Sequence, residues 1–242
     1  KKSTPMKSFI RILLIALIIY PSTAVAGDLY CNIEAGLVST YVWRGMRQAG
    51  ISFQPSLKIG YKRFSFSAWG NTEIAKEGQK EVDLYLNYDI LDNLTVELSD
   101  NWSTTTSSKY FQYGSGTEHS WEARVTYTLP VEKFPLSLSW GTMFAGNDYN
   151  DNGKRAFSSY FIMTYPFNIK MIDLEAEVGM SPYKSNGMYG CNGFSLNEIA
   201  LKAGYTVKAC KFLSIPIYTQ LIGNPATKDL YFLLGVSINT DF

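Results

Sequence analysis

Hydrophobic and polar residues alternate strictly in LYFLLGVSINTDF at the end of the chain. Leu230, Phe232, Leu234, Val236, Ile238, Thr240 and Phe242 share one face, while Tyr231, Leu233, Gly235, Ser237, Asn239 and Asp241 share the other. A period of two is the mark of a β-strand with one apolar and one more polar face. The same alternation predicts strands at 30–44, 52–62, 64–72, 81–90, 94–101 and 120–129, then at 136–145, 158–167, 172–180, 197–207, 212–222 and 230–242. That is about twelve strands, most of them near the roughly 9–11 residues a tilted strand needs to cross a bilayer. No segment carries a helical period.

The connections between these strands alternate in length. Short ones (Lys62-Arg63, Leu91-Asp92-Asn93, PVEKFP, NIK, KACK) take turns with longer ones (GMRQAG, EIAKEGQK, STTTSSKYFQYGSGTEH, GNDYNDNGKR, SPYKSNGMYGCNG, GNPATK). Short turns at one end and long loops at the other are the habit of outer-membrane barrels. Parity adds the second sign. Aliphatic residues fill the middle of the apolar face, with Tyr41, Trp43, Phe53 and Trp121 near the long loops and Tyr61, Tyr88, Tyr127, Tyr205 and Phe242 near the short turns. Two aromatic girdles around an aliphatic band are expected of a lipid-facing surface. A secreted β-sandwich would alternate too, but predicts neither girdles nor loops of alternating length. Phe242 then completes the lower girdle at the seam, as the assembly signal by which a barrel-assembly machinery reads the last strand.

Composition agrees once the barrel is in view. Mean hydropathy is −0.07 over 242 residues, because lumen-facing polar positions dilute lipid-facing apolar ones. With 22 basic and 21 acidic residues the net charge is +1, so nothing electrostatic points to nucleic acid. Residues 1–26 read as a cleaved signal peptide: Lys1, Lys2, Lys7 and Arg11 precede an apolar run from Ile12 to Tyr20 and the small-x-small site Ala24-Val25-Ala26. Residues 27–242 form one barrel domain. Three cysteines make no framework and no metal-ligand spacing; isolated thiols are favoured over a Cys31–Cys210 bridge.

The segment IEAGLVSTYVWRGMRQAGISFQPSLKIGY resembles the opening of the TorF-type outer-membrane porin family, through Gly36, Val38, Ser39, Tyr41, Trp43, Arg44 and Gly45. KEVDLYLNYDI, with Asp83, Leu84 and Tyr85, is similar to that family's acidic-start strand. The likeness covers about the first third of residues 27–242 and is architectural afterwards. The resemblance implies an outer-membrane barrel with a pore role and supplies no solute.

Charge parity carries the remaining chemistry. Arg44, Glu81, Asp83, Glu97, Glu122, Arg124, Glu177, Glu198 and Lys202 fall on the inward face and are the candidate pore-lining residues. A Lys or Arg at the bilayer midplane costs roughly 2–4 kcal/mol, so such groups must line water or pair with one another. Inward acidic positions outnumber basic ones about twofold, which predicts a narrow lumen with a mild preference for cations. His119 has no serine two residues on (that position is Trp121), so a lipid-facing hydrolase lacks its nucleophile. Asp148, Asn150 and Asn152 of DYNDNG match half a calcium loop, but Ser159 stands where its closing carboxylate belongs. Turn formation is the favoured reading of that stretch, and no cofactor is expected.

The sequence therefore predicts an all-β, transmembrane, antiparallel up-and-down barrel of about twelve strands in the cell outer membrane. Its expected partners are outer-membrane lipid, the assembly machinery and small hydrophilic solutes diffusing passively through it. The alternative function is a non-conducting structural or surface-recognition barrel acting through its loops. The longest connection, between Asn101 and His119, is expected either to narrow the mouth or to present Tyr110, Phe111 and Tyr113.

Overall fold

The computed structural model describes residues 29–241, apart from 76, 77 and 107. The expected signal peptide and Phe242 lie outside the described residues.

Twelve antiparallel strands close into a barrel. They are β1 (Leu29–Val38), β4 (Ser52–Tyr61), β5 (Phe64–Glu73), β6 (Lys80–Leu91), β7 (Leu94–Thr104) and β8 (His119–Thr128), followed by β9 (Ser137–Gly146), β10 (Ser159–Ile169), β11 (Ile172–Ser181), β12 (Ser195–Cys210), β13 (Leu213–Asn224) and β14 (Asp229–Asp241). Each strand pairs with its sequence neighbour, and the seam is β1 against β14, from Asn32 opposite Asp241 to Val38 opposite Gly235. Closure leaves no sheet edge with unpaired amides, which is what lets a sheet stand in a medium without water.

The alternation forecast from sequence decides which face is which. Leu57, Ile59, Leu86, Leu98, Val125, Leu201, Leu221, Phe232 and Leu234 are exposed on the outer wall. Tyr61, Phe64, Tyr88, Tyr127, Tyr205 and Phe212 form an exposed aromatic set near the short turns. Those turns are 62–63, 92–93, 170–171 and 211–212, with 129–136 somewhat longer. The opposite rim carries 39–51, 74–79, 105–118, 147–158, 182–194 and 225–228, the fifth holding the single-turn helix α1 (Asn186–Tyr189). Among the described residues the three cysteines are free.

The first strand departs from expectation. It does not run unbroken over 30–44: β1 stops at Val38, and a separate hairpin of β2 (Tyr41–Trp43) and β3 (Met46–Ala49) follows. Where β1 ends, Ser39 N donates to the Leu234 carbonyl at 2.9 Å and Leu234 N donates to Ser39 Oγ at 2.9 Å. The chain then leaves the wall. Tyr41 and Trp43 consequently do not belong to the outer girdle.

Candidate functional site: a hairpin across the lumen

The neighbours of residues 41–45 fix where the hairpin goes. The Tyr41 ring packs at a tilt against Trp69 of β5, centroids 5.4 Å apart, and its hydroxyl donates to Glu81 Oε1 of β6 at 3.3 Å. Val42 packs on Ala200, Ile222 and Leu233, the inward residues of β12, β13 and β14. Trp43 and Met46 pack on Tyr160 of β10 and Tyr189 of α1. Only a segment inside the barrel, near the long-loop end, can touch walls on so many sides.

Its tip is Arg44-Gly45, with φ of 51° and 73°. Two successive left-handed residues make the two-residue turn that suits a tight hairpin, and Gly is the usual second member. Gly45 has no alternative, because a Cβ there would stand 1.9 Å from the Asn197 carbonyl oxygen. The same peptide is pinned by Asn224 Nδ2, which donates to the Gly45 carbonyl at 3.0 Å. Arginine in the left-handed region is unfavourable by about 1–2 kcal/mol. Such strain persists where surrounding contacts over-determine it.

Those contacts converge on the guanidinium of Arg44, a residue that is 5% exposed. Its Nη2 reaches both oxygens of Glu122 on β8 at 2.8 Å, and Nη1 donates to the Tyr189 hydroxyl. The cation lies 4.5 Å from the Trp43 ring centroid, 4.8 Å from Tyr160 and 5.5 Å from Tyr189. A planar guanidinium suits this combination of forked hydrogen bonding and stacking; a lysine ammonium would not. Glu122 also accepts from Arg124 Nη2 at 2.7 Å, and Arg124 Nη1 stands 3.4 Å from Glu97. Gly141 on β9 makes room for the pair, since a Cβ there would lie 2.2 Å from Glu122 Oε1.

The nine inward candidates therefore separate into groups. Arg44, Glu122, Arg124 and Glu97 form one charged chain from the hairpin tip to the β7–β8 wall. Glu81 and Asp83 sit apart on β6: Glu81 takes a hydrogen bond from Gln79 at 2.6 Å, and Asp83 takes one from Tyr85 at 2.8 Å. Glu177 accepts from Thr164 at 3.1 Å, and Glu198 is buried on β12. Lys202 holds its ammonium 4.6 Å from the Tyr218 ring. Tyr160, Tyr189 and Gly141 complete the Arg44 socket and carry no sequence signal. They read as ordinary aromatic and turn residues until the chain brings them together. Trp43-Arg44-Gly45 does carry one, because a Gly after a bulky pair inside an alternating run marks a turn.

Below the hairpin the lumen opens into two adjoining cavities that share Glu34, Tyr218 and Ser237. One, of about 360 Å³, is also lined by Asp173, Glu175 and Lys202; the other, of about 200 Å³, by Gln54, Ser56 and Trp69.

The longest loop does not narrow the mouth. His119 and Trp102 occupy outward positions of β8 and β7, and loop 105–118 lies over them on the outer wall. His119 Nδ1 is 2.7 Å from Asp100 Oδ1 and Nε2 is 2.5 Å from the Tyr110 carbonyl oxygen. The Tyr110 and Tyr113 rings pack on the imidazole at 5.1 and 4.3 Å, whereas Phe111 is 85% exposed. Both ring nitrogens are engaged, so His119 is a clasp for this loop. Burial pushes the Tyr110 phenol up to about 12.

DYNDNG forms a turn. Asn150 Oδ1 accepts from the backbone of Asn152 and Lys154 at 3.0 Å, and Asp148 Oδ2 accepts from Ser158 N at 3.1 Å. Asp151 pairs with Lys184 at 2.7 Å, which ties this loop to the one holding α1. The Lys184 and Asn186 hydrogen bonds hold the Asp151 carboxyl below the usual range.

No family model matches the sequence, and no curated protein does. Among solved structures, the KdgM porin aligns with 8% identity over 88% of this chain and 99% of its own, at a TM-score of 0.49. The NanC porin aligns with 12% identity over 88% and 98%, at 0.45. An outer membrane channel from Pseudomonas putida F1 aligns with 9% identity over 93% and 100%, at 0.42.

Proposed function

We propose that this barrel is an outer-membrane channel for passive diffusion of small hydrophilic solutes, mildly preferring cations, with the 41–49 hairpin as its constriction. One observation carries the reading: a closed barrel with an apolar outer wall encloses a polar lumen in which carboxylates outnumber cations. Glu34, Asp173, Glu175, Glu177 and Glu198 line that lumen from the short-turn end to the hairpin, against Lys58 and Lys202 over the same stretch. Low-dielectric walls focus such a field toward the axis. The opening motif through Gly45 supports placement with the TorF-type porins, now with a physical content: it encodes an in-folded hairpin with arginine at the tip. The reading includes export behind residues 1–26 and insertion by the assembly machinery through the last strand.

The test is current through the folded full chain in planar bilayers, with reversal potential across a KCl gradient. Discrete steps and a cation-positive reversal potential that collapses toward 1 M salt, where the Debye length is about 3 Å, are expected. Anion preference would mean that the carboxylates are neutralised in pairs.

A second reading has one observation in its favour. The hairpin reaches from β5 and β6 to β10, β12, β13 and β14, so a barrel that never releases it would be sealed and would act through its loops. Silence from the verified folded wild type, with current appearing in a variant lacking residues 41–49, would select that reading.

A further inference from the structure

The paired cavities beneath the hairpin have a lining that the constriction does not explain. Glu34 of β1 and Asp173 and Glu175 of β11 face one space from different walls. Lys202 is the register partner of Glu175 and holds its ammonium over the Tyr218 ring, and no ion pair joins it to Glu34 or Asp173 among the described residues; Asp173 accepts a hydrogen bond from Asn168 Nδ2. Strands β1 and β11 are four places apart in the barrel order, which at about 4.8 Å per strand is roughly 19 Å along the wall. Asp173 stands next to the short turn, while Glu34 lies further toward the hairpin. The two carboxylates therefore enter the cavity from walls a third of the way round the barrel from each other.

Between them the lining changes character. Tyr218 lies flat over Gly235, where a Cβ would meet its ring at 2.3 Å, and Pro166 and Pro216 face the same space. An independent observation points to an occupant. Ser237 Oγ borders both cavities, is 4% exposed, and has no hydrogen-bond partner among the described residues. A buried hydroxyl without a partner is unfavourable unless something in the cavity bonds to it.

We propose that this vestibule binds a linear aliphatic polyamine. Its terminal ammonium groups go to Glu34 and Asp173, its methylenes lie along Pro166 and Pro216, and an N–H donates to Ser237 Oγ. The proposal deepens the channel reading by naming a solute class, and rests on the lumen being accessible from the short-turn end.

The test is calorimetric titration of the folded full chain in detergent with spermidine, with propylamine and serine as comparators. Folding is checked for every variant by the heat-modifiable gel shift. One saturable site is expected, at least tenfold weaker for propylamine and for serine. Glu34→Gln and Asp173→Asn should each weaken spermidine at least tenfold, and Ser237→Ala by several fold. Asp151→Asn, on an outer loop, should leave it unchanged. No saturable heat from a folded barrel overturns the proposal. So does equal binding of serine, or unchanged affinity in both lumen carboxylate variants. Binding needs no current, so binding without conduction would refute only the channel reading, and conduction without binding only this one.

Discussion

Replacing Glu122 by alanine isolates what holds the hairpin. In the wild type its carboxylate takes two hydrogen bonds from Arg44 at 2.8 Å, and both side chains are out of contact with solvent. Without it, Arg44 keeps the Tyr189 hydroxyl and three aromatic faces, none of them anionic. Removing one partner of a buried ion pair is unfavourable by about 3–5 kcal/mol, because the other charge stays desolvated. The barrel wall does not depend on Arg44, so the cheapest relief is for the hairpin to swing out and let the guanidinium reach water. At about 1.4 kcal/mol per factor of ten, the released population should rise between about a hundredfold and a few thousandfold. The assay pairs single-channel recording with hydrogen exchange of the amides at 41–49. Larger or more frequent openings should accompany faster exchange in that segment alone. The double variant Arg44→Ala with Glu122→Ala carries no stranded charge, so its effect should fall well short of the sum of the single ones. Wild-type conductance and wild-type exchange in Glu122→Ala would refute the assignment of the pair as the hairpin's anchor.

Gly141→Ala should act in the same direction, since the added methyl meets Glu122 Oε1 at 2.2 Å; gel-shift folding should persist while openings increase. Lowering pH should loosen the tie between loops 147–158 and 182–194. The Asp151 carboxyl is held below its usual value, so the tie is fully present above the ordinary carboxylate range and is lost as pH falls through the depressed value. Protease nicking of these loops against pH, compared with Lys184→Ala, checks this. His119→Ala should free loop 105–118 from the outer wall, raising its cleavage by added protease while conductance stays within error of wild type. A change in conductance there would place the loop at the mouth after all.

Local alternation was sufficient for the wall. From Ser52 onward, the eleven wall strands and their inward and outward faces were legible because a strand in a closed barrel sees lipid on one side and lumen on the other, whatever its neighbours are. The failure at Tyr41–Arg44 is instructive for the same reason. That stretch alternates as a strand, and it is one, but its partner is β3 inside the lumen rather than β4 in the wall. Alternation reports that a segment is extended with two unlike faces and cannot report which space those faces meet.

Sequence by itself thus determined the barrel, its roughly twelve strands and the polarity of its two surfaces. Tertiary structure alone decided which charges neutralise each other. Arg44 and Glu122 are 78 positions apart, Tyr189 comes from α1 and Gly141 from β9. Their meeting depends on barrel closure and on the left-handed turn at Arg44-Gly45, and neither has a sequence period. Burial and pairing are properties of three-dimensional proximity, so the socket that holds the constriction could be seen only once the walls surrounded it.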